Sequence, residues 1–138
     1  MKYQWLKDYK QLEQQIEYLK WNLNRSELEL IRWIEGDLVN VKLEKNSRSS
    51  NLENDIEKLK AEIERLEQNK KEVVQFIETF EGVENQIIKL KYIDGHTLEE
   101  IAEEIGYSAS YVRKKHSEIK NLINFINKYE VDLNEEHP

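Results

Sequence analysis

The chain has 138 residues, 36 % of them charged, and a formal net charge of −7. Four glycines, one proline and a mean hydropathy of −0.84 favour long solvated helices over sheets. Without cysteine there is neither a disulfide framework nor a thiolate metal site; no apolar run approaches the roughly 20 residues of a membrane span and the N-terminus lacks a signal-peptide core, so a cytoplasmic protein is expected.

The spacing predicts a first long helix over residues 3–34. Trp5, Tyr9, Leu12, Ile16, Leu19, Leu23, Leu30 and Trp33 follow a heptad, interrupted by Ser26 at a seam position. Leu6, Tyr18, Trp21, Ile31 and Ile34 lie outside that seam. The apolar stripe is thus wider than a two-stranded coiled coil requires, which points to burial against more than one partner. The tryptophans read as packing residues, because base stacking calls for aromatics interleaved with basic side chains and this helix is mixed in charge.

Gly36 and Asp37 break the helix, and residues 46–50, with two serines in sequence, read as an exposed turn. Leu38, Val39, Val41 and Leu43 fit either a short strand or continued helix. Lys42, Lys45 and Arg48 read as solvated linker charges rather than phosphate contacts.

Ser50 and Glu53 have the spacing of a capping box. A second heptad then runs through Leu52, Ile56, Leu59, Ile63, Leu66, Val73, Ile77 and Phe80, with Lys70 at one seam position. Two long helices joined by a modest loop fold back most simply as an antiparallel hairpin. One hairpin covers one side of each helix, so hairpins are expected to pair into a homo-oligomer, a dimer in the simplest case. Leu12, Ile16, Leu19, Leu23, Ile56, Leu59, Ile63 and Leu66 are the expected oligomerisation residues, and Ile63→Asp is expected to disrupt the assembly.

Glu81-Gly82 ends this helix and divides the chain into residues 1–81, an oligomerising hairpin, and residues 83–129, a second domain, followed by an acidic tail at 130–138. Val83, Ile87, Leu90 and Ile93 form a short amphipathic helix closed by Asp94-Gly95. Thr97 is a helix N-cap with Glu100 three residues on, again a capping box. Leu98, Ile101, Ala102 and Ile105 share one face, and Gly106 stands where a left-handed C-cap needs a residue without a Cβ. Ser108 caps the next helix, which passes through Val112 and Ile119 and keeps its apolar pattern through Leu122, Ile123, Phe125, Ile126 and Tyr129. Two helices joined by a glycine turn, with a third in support, form a helix-turn-helix, whose second helix enters the major groove of duplex DNA. That helix carries Arg113, Lys114, Lys115, Lys120 and Lys128 against the single acid Glu118, while the preceding helix carries Glu99, Glu100, Glu103 and Glu104.

With Val112 facing inward, Ala109, Ser110, Arg113, Lys114 and Ser117 face outward. Arg113 and Lys114 are the expected guanine readers, and Ala109 is placed to meet a thymine methyl. Lys115, His116 and Lys120 are expected at phosphates, and Ser108 and Tyr111 complete the DNA-binding set.

On Leu90, Tyr92, Gly95, Leu98, Glu99, Glu100, Ile101, Ala102, Ile105, Gly106, Ser108, Val112 and Arg113 the segment resembles the region-four domain of bacterial sigma factors. With a long helical N-terminal part in so short a chain, the whole resembles the small phage-encoded regulators of late gene transcription of the RinA and ArpU kind. The resemblance supports DNA contact by Ser110, Tyr111, Arg113 and Lys114, and implies contact with the host RNA polymerase. It also exposes a departure, since Ala109 and Ser110 stand where longer polar side chains are common in sigma factors. Base readout by this helix is therefore expected to be modest.

The expectation is an all-α protein: a long N-terminal helical hairpin, or coiled coil, followed by a three-helix helix-turn-helix domain that binds double-stranded DNA and regulates transcription in a bacterial host. A phage small terminase subunit, which also joins a helix-turn-helix to an oligomerising region, is the alternative, separated by stoichiometry: a dimer for the regulator, a ring for the packaging protein. A polymerase-binding sigma-like factor is the third reading. No phosphate-cradling glycine loop, nucleophile elbow or His-x-x-x-His pair is present, and His96, His116 and His137 have no ligand spacing, so neither catalysis nor a cofactor or metal is expected.

Overall fold

In a computed structural model of the chain the backbone is described for residues 3–36 and 42–136, and the side chains for 3–36 and 48–129. The described residues form six α-helices and one π-type turn, with no strand. These are α1 (Tyr3–Lys7), α2 (Tyr9–Ile34), α3 (Lys42–Ile77), α4 (Gly82–Ile88), a wider π-type turn over Lys89–Ile93, α5 (Leu98–Ile105) and α6 (Ala109–Glu136). The expected all-α architecture is observed.

Two compact units divide the chain. One is Leu12–Asn69; the other joins the segment through Gln11 to everything from Lys70 onward. Gly82, where the sequence suggests a boundary, lies inside this second unit.

Leu12–Asn69 is an antiparallel hairpin of α2 and α3. Lys20 of α2 forms a 2.9 Å ion pair with Glu67 of α3. Further along, Leu19, Asn22 and Ser26 line a shallow cleft of about 370 Å³ with Asp55, Lys58, Leu59 and Glu62, so rising numbers in one helix meet falling numbers in the other. Ile16, Trp33, Ile56, Ile63 and Leu66 are buried within the single chain, and Leu12, Leu19, Leu23 and Leu59 are half-buried. The heptad seam is therefore consumed inside the hairpin rather than held open for a second copy. Ile63→Asp is accordingly expected to unfold the hairpin, because it buries an unpaired carboxylate, rather than to separate folded subunits.

The start of α3 departs from expectation. The helix begins at Lys42, so residues 46–50 are helical and Ser50 sits inside a helix instead of capping one. That segment contains no glycine or proline, and its serines and asparagine cost only a few tenths of a kcal/mol each, which cooperative extension of a docked helix overcomes. Leu38, Val39 and Val41 lie outside the described residues.

The second unit has a continuous core. Leu6 and Tyr9 from the N-terminal segment, Val73 and Ile77 from the end of α3, Phe80 from the turn after it, Ile87, Ile88 and Tyr92, Ile101 and Ala102 of α5, and Val112, Ile119 and Ile123 of α6 pack together. Lys70, the lysine interrupting the second heptad, is held with its ammonium 5.9 Å from the centre of the Tyr9 ring, a cation–π arrangement that lets a charged seam residue border an apolar core. The π-type turn has a wide bond from the Asp94 amide to the Lys89 carbonyl (3.0 Å), and Gly95 follows at φ +77°. This turn brings Tyr92 into the core.

Ala102 is 4 % exposed in the core cluster to which α5 and α6 both contribute. Ala102→Leu adds an isopropyl group to an occupied contact, and overpacking of this kind costs about 1–3 kcal/mol. A lower urea midpoint with unchanged denaturant slope is the expected result; an unshifted midpoint would show that the crossing has room.

Candidate nucleic-acid interface

Local chemistry sets the two-helix frame. The Thr97 hydroxyl accepts a hydrogen bond from the Glu100 amide at 3.1 Å, starting α5 as the capping box predicts. The same threonine holds the Glu100 carboxyl below its ordinary range, with His96 adding to the effect. Gly106 ends α5 at φ +80°, and the amides of Gly106 and Tyr107 both return to the Ala102 carbonyl, at 3.0 and 3.2 Å. A Cβ at Gly106 would meet nothing within 4 Å, so glycine is required there by the left-handed backbone and not by space. Ser108 caps α6, its hydroxyl accepting from the Tyr111 amide at 3.1 Å. That hydroxyl serves the helix.

The core fixes the rotation of α6. Val112, Ile119 and Ile123 are buried, and so is His116. Ser110, Arg113, Lys114 and Ser117 are exposed on the opposite side, as the sequence reading requires. Arg113 reaches back to α5, its guanidinium 3.3 Å from the Glu99 carboxylate, with both side chains more than half exposed. Lys114 has no ion-pair partner among the described residues. One cation of the pair is loosely restrained by an exchangeable surface contact and the other is free to reach.

The other sequence-predicted positions are distributed differently. Ala109 and Tyr111 are half-buried against the edge of the core, and Tyr111 stacks on Tyr107 with ring centres 4.7 Å apart. Ala109 is therefore a packing residue first. Lys115 lies on another flank, its ammonium 5.7 Å from the Tyr111 ring centre, 3.6 Å from Glu118 and 3.9 Å from Glu84 of α4. Lys120 sits with its ammonium 5.3 Å from the ring centre of Tyr3.

His116 needs correction. It was expected at a phosphate, but its side chain is 9 % exposed and its Nε2 lies 2.5 Å from the Tyr92 hydroxyl, which in turn is 2.6 Å from the Tyr3 hydroxyl. The physical reason is rotational: His116 follows Val112 by one helical turn and so shares its inward face. Burial pushes the imidazole down to about 4, and the nearby ammonium groups of Lys91 and Lys120 act in the same direction. His116 is thus neutral near pH 7 and contributes no charge to an anion site. Burial, with the Tyr3 hydrogen bond, raises the Tyr92 phenol well above its usual range, so the hydroxyl keeps its proton. This Tyr3–Tyr92–His116 chain ties the N-terminal segment to α6 and has no signal in any local stretch of sequence.

The arrangement offers a short polar and basic face, Ser110, Arg113, Lys114 and Ser117, on a helix whose other side is locked into a core. Residues 63–119 match the family model of Sigma-70, region 4, a match that spans fewer than half the residues of the chain. It begins in the second half of α3 and ends where α6 reaches Ile119. Comparisons with curated proteins and with solved structures gave no match. Over residues 63–119 the chain is similar to sigma-70 region 4, a DNA-binding domain of the helix-turn-helix type.

Proposed function

We propose that this protein is a sequence-specific, duplex-DNA-binding regulator of transcription, acting as a homodimer on the late genes of a phage. The observation that carries the reading is the exposed face of α6: Arg113 and Lys114 project from the second helix of a helix-turn-helix, flanked by Ser110 and Ser117. A net charge of −7 keeps the rest of the surface from attracting nucleic acid indiscriminately, so binding must be local to this face. With Lys114 unpaired among the described residues and Arg113 loosely held by Glu99, direct readout by this face is narrow, and affinity depends on joining two half-sites through a dimer. Selection of bound duplex fragments from a phage genome tests the reading. Enrichment of one short motif upstream of late genes supports it; recovery of random fragments at low salt, lost at physiological salt, would refute it.

A second reading, contact with RNA polymerase, is favoured by one separate observation. Leu122, Phe125 and Tyr129 are exposed along one side of α6 beyond the basic face. Beside them runs an open groove of about 510 Å³ whose lining is mixed, Phe76, Phe80, Val83, Tyr111, Leu122 and Ile126 together with Thr79, Glu81, Glu84 and Lys115. An apolar stripe next to a groove of this size suits a protein segment better than DNA. Retention of purified polymerase by the protein in the absence of DNA, abolished by Phe125→Glu, is the expected result for this reading.

A further inference from the structure

The hairpin seam is closed within one chain, yet α2 retains a second apolar face. Tyr18 is 63 % exposed, Trp21 54 %, Leu28 55 %, Ile31 52 % and Ile34 44 %. Trp21 and Leu28 are two turns apart on nearly the same line of the helix, and Tyr18 and Ile31 flank them. Tyr18 stacks on Trp21 with ring centres 6.4 Å apart, and the Arg25 guanidinium sits 5.0 Å from the Trp21 ring centre. The patch is preorganised: two aromatic rings and a cation are already fixed against each other without a partner.

We infer that this face of α2, centred on Trp21 and Leu28, is where a second copy of the chain docks, and so is the dimer contact on which the proposed function rests. Charge identifies the occupant. The described part of α2 in the hairpin carries Glu13, Glu17, Glu27 and Glu29 beside Lys20, Arg25 and Arg32, so the helix is close to neutral and mixed along its length. A nucleic acid or a strongly acidic or basic segment finds no complementary field there. A copy of the same helix does. Laid antiparallel about the midpoint between Trp21 and Leu28, it sets Trp21 against Leu28, Tyr18 against Ile31, Glu17 against Arg32 and Lys20 against Glu29, so apolar groups meet apolar groups and opposite charges meet. Area allows a contact of modest size. With 63 % of Tyr18, 54 % of Trp21, 55 % of Leu28 and 52 % of Ile31 still exposed, these side chains supply on the order of half of the roughly 800 Å² per partner of a standard stable interface, and the charged flanks supply the remainder. The composition also fits, with aromatics and arginine at the centre, where interfaces concentrate their binding energy.

The test is sedimentation equilibrium of the full chain as wild type, as Trp21→Glu/Leu28→Glu and as Phe125→Glu/Tyr129→Glu. All four positions are exposed, so helicity by circular dichroism is expected to match wild type. The expected result is a dimeric wild type, a monomeric Trp21→Glu/Leu28→Glu variant with self-association weakened roughly hundredfold or more, and an undisturbed Phe125→Glu/Tyr129→Glu dimer. A wild type that stays monomeric overturns the inference. So does dissociation by the α6 substitutions alone, which would give that stripe to the second copy instead. The DNA contact fails separately: Arg113→Ala/Lys114→Ala reports on DNA binding at unchanged mass, and a monomeric wild type that still binds a single half-site removes the dimer from the proposed function while leaving its DNA contact in place.

Discussion

Arg113→Ala and Lys114→Ala are each expected to weaken specific DNA binding by about 1–3 kcal/mol, roughly five- to 150-fold, with helicity and subunit mass unchanged. The expectation follows from their placement. Both side chains are exposed, neither touches the core, and the helix that carries them is held by Val112, Ile119 and Ile123 from behind. Truncation therefore removes a ligand contact without loosening the fold. Fluorescence anisotropy across a salt series separates their roles. A residue that reads a base lowers discrimination between the selected site and a scrambled one; a residue that holds phosphate weakens both equally and reduces the salt slope by about one. Glu99 supplies an internal control. Its carboxylate lies 3.3 Å from the Arg113 guanidinium and competes with DNA for it, so Glu99→Gln is expected to strengthen binding modestly while Arg113→Ala abolishes that gain. Unchanged affinity of the Arg113→Ala/Lys114→Ala double variant at every salt concentration would remove the proposed face altogether.

The second large effect is on stability as a function of pH. His116 is neutral in the fold with its imidazole pushed down to about 4, whereas in the unfolded chain it titrates near its ordinary value of 6.5. Between these values the unfolded chain binds the proton and the folded one does not. The contribution is therefore fully present above about pH 6.5 and is lost as the pH falls toward 4. Its size is at most about 3 kcal/mol, from the separation of the two values. Urea denaturation from pH 7.5 to 4.5 is expected to show a steeper loss for wild type than for His116→Gln, whose side chain cannot take up the proton. Many carboxylates also titrate at the acidic end, so the difference between the two proteins is the quantity that matters. Parallel profiles would mean that the imidazole is free to charge in place. Tyr92→Phe probes the same chain by a different route: it leaves the His116 ring nitrogen and the Tyr3 hydroxyl without their shared partner, at a cost of about 1–3 kcal/mol at neutral pH.

The correct and incorrect expectations divide along a physical line. Thr97, Gly106 and Ser108 were legible because each acts on backbone groups within three or four residues, where sequence distance and spatial distance coincide. Periodicity also fixed which side of α6 is buried, and it contained a signal that His116 belongs with Val112, Ile119 and Ile123. The positive charge of its neighbours pointed the other way, and helix phase prevailed. The start of α3 was missed because serine and asparagine favour turns only weakly, and a helix already anchored by packing extends through them.

By itself the sequence determined the all-α class, the two long heptad helices, the glycine turn and the outward placement of Arg113 and Lys114, since all of these follow from local hydrogen bonding and from the 3.6-residue period. Tertiary structure alone decided which apolar face each helix spends inside the chain. The heptads of α2 and α3 close on each other, the N-terminal Leu6 and Tyr9 join the core of the helix-turn-helix, and Tyr3 meets Tyr92 across 89 positions of sequence. A stripe of apolar residues states that a partner is needed and is silent on which one, because the hydrophobic effect has magnitude and no address.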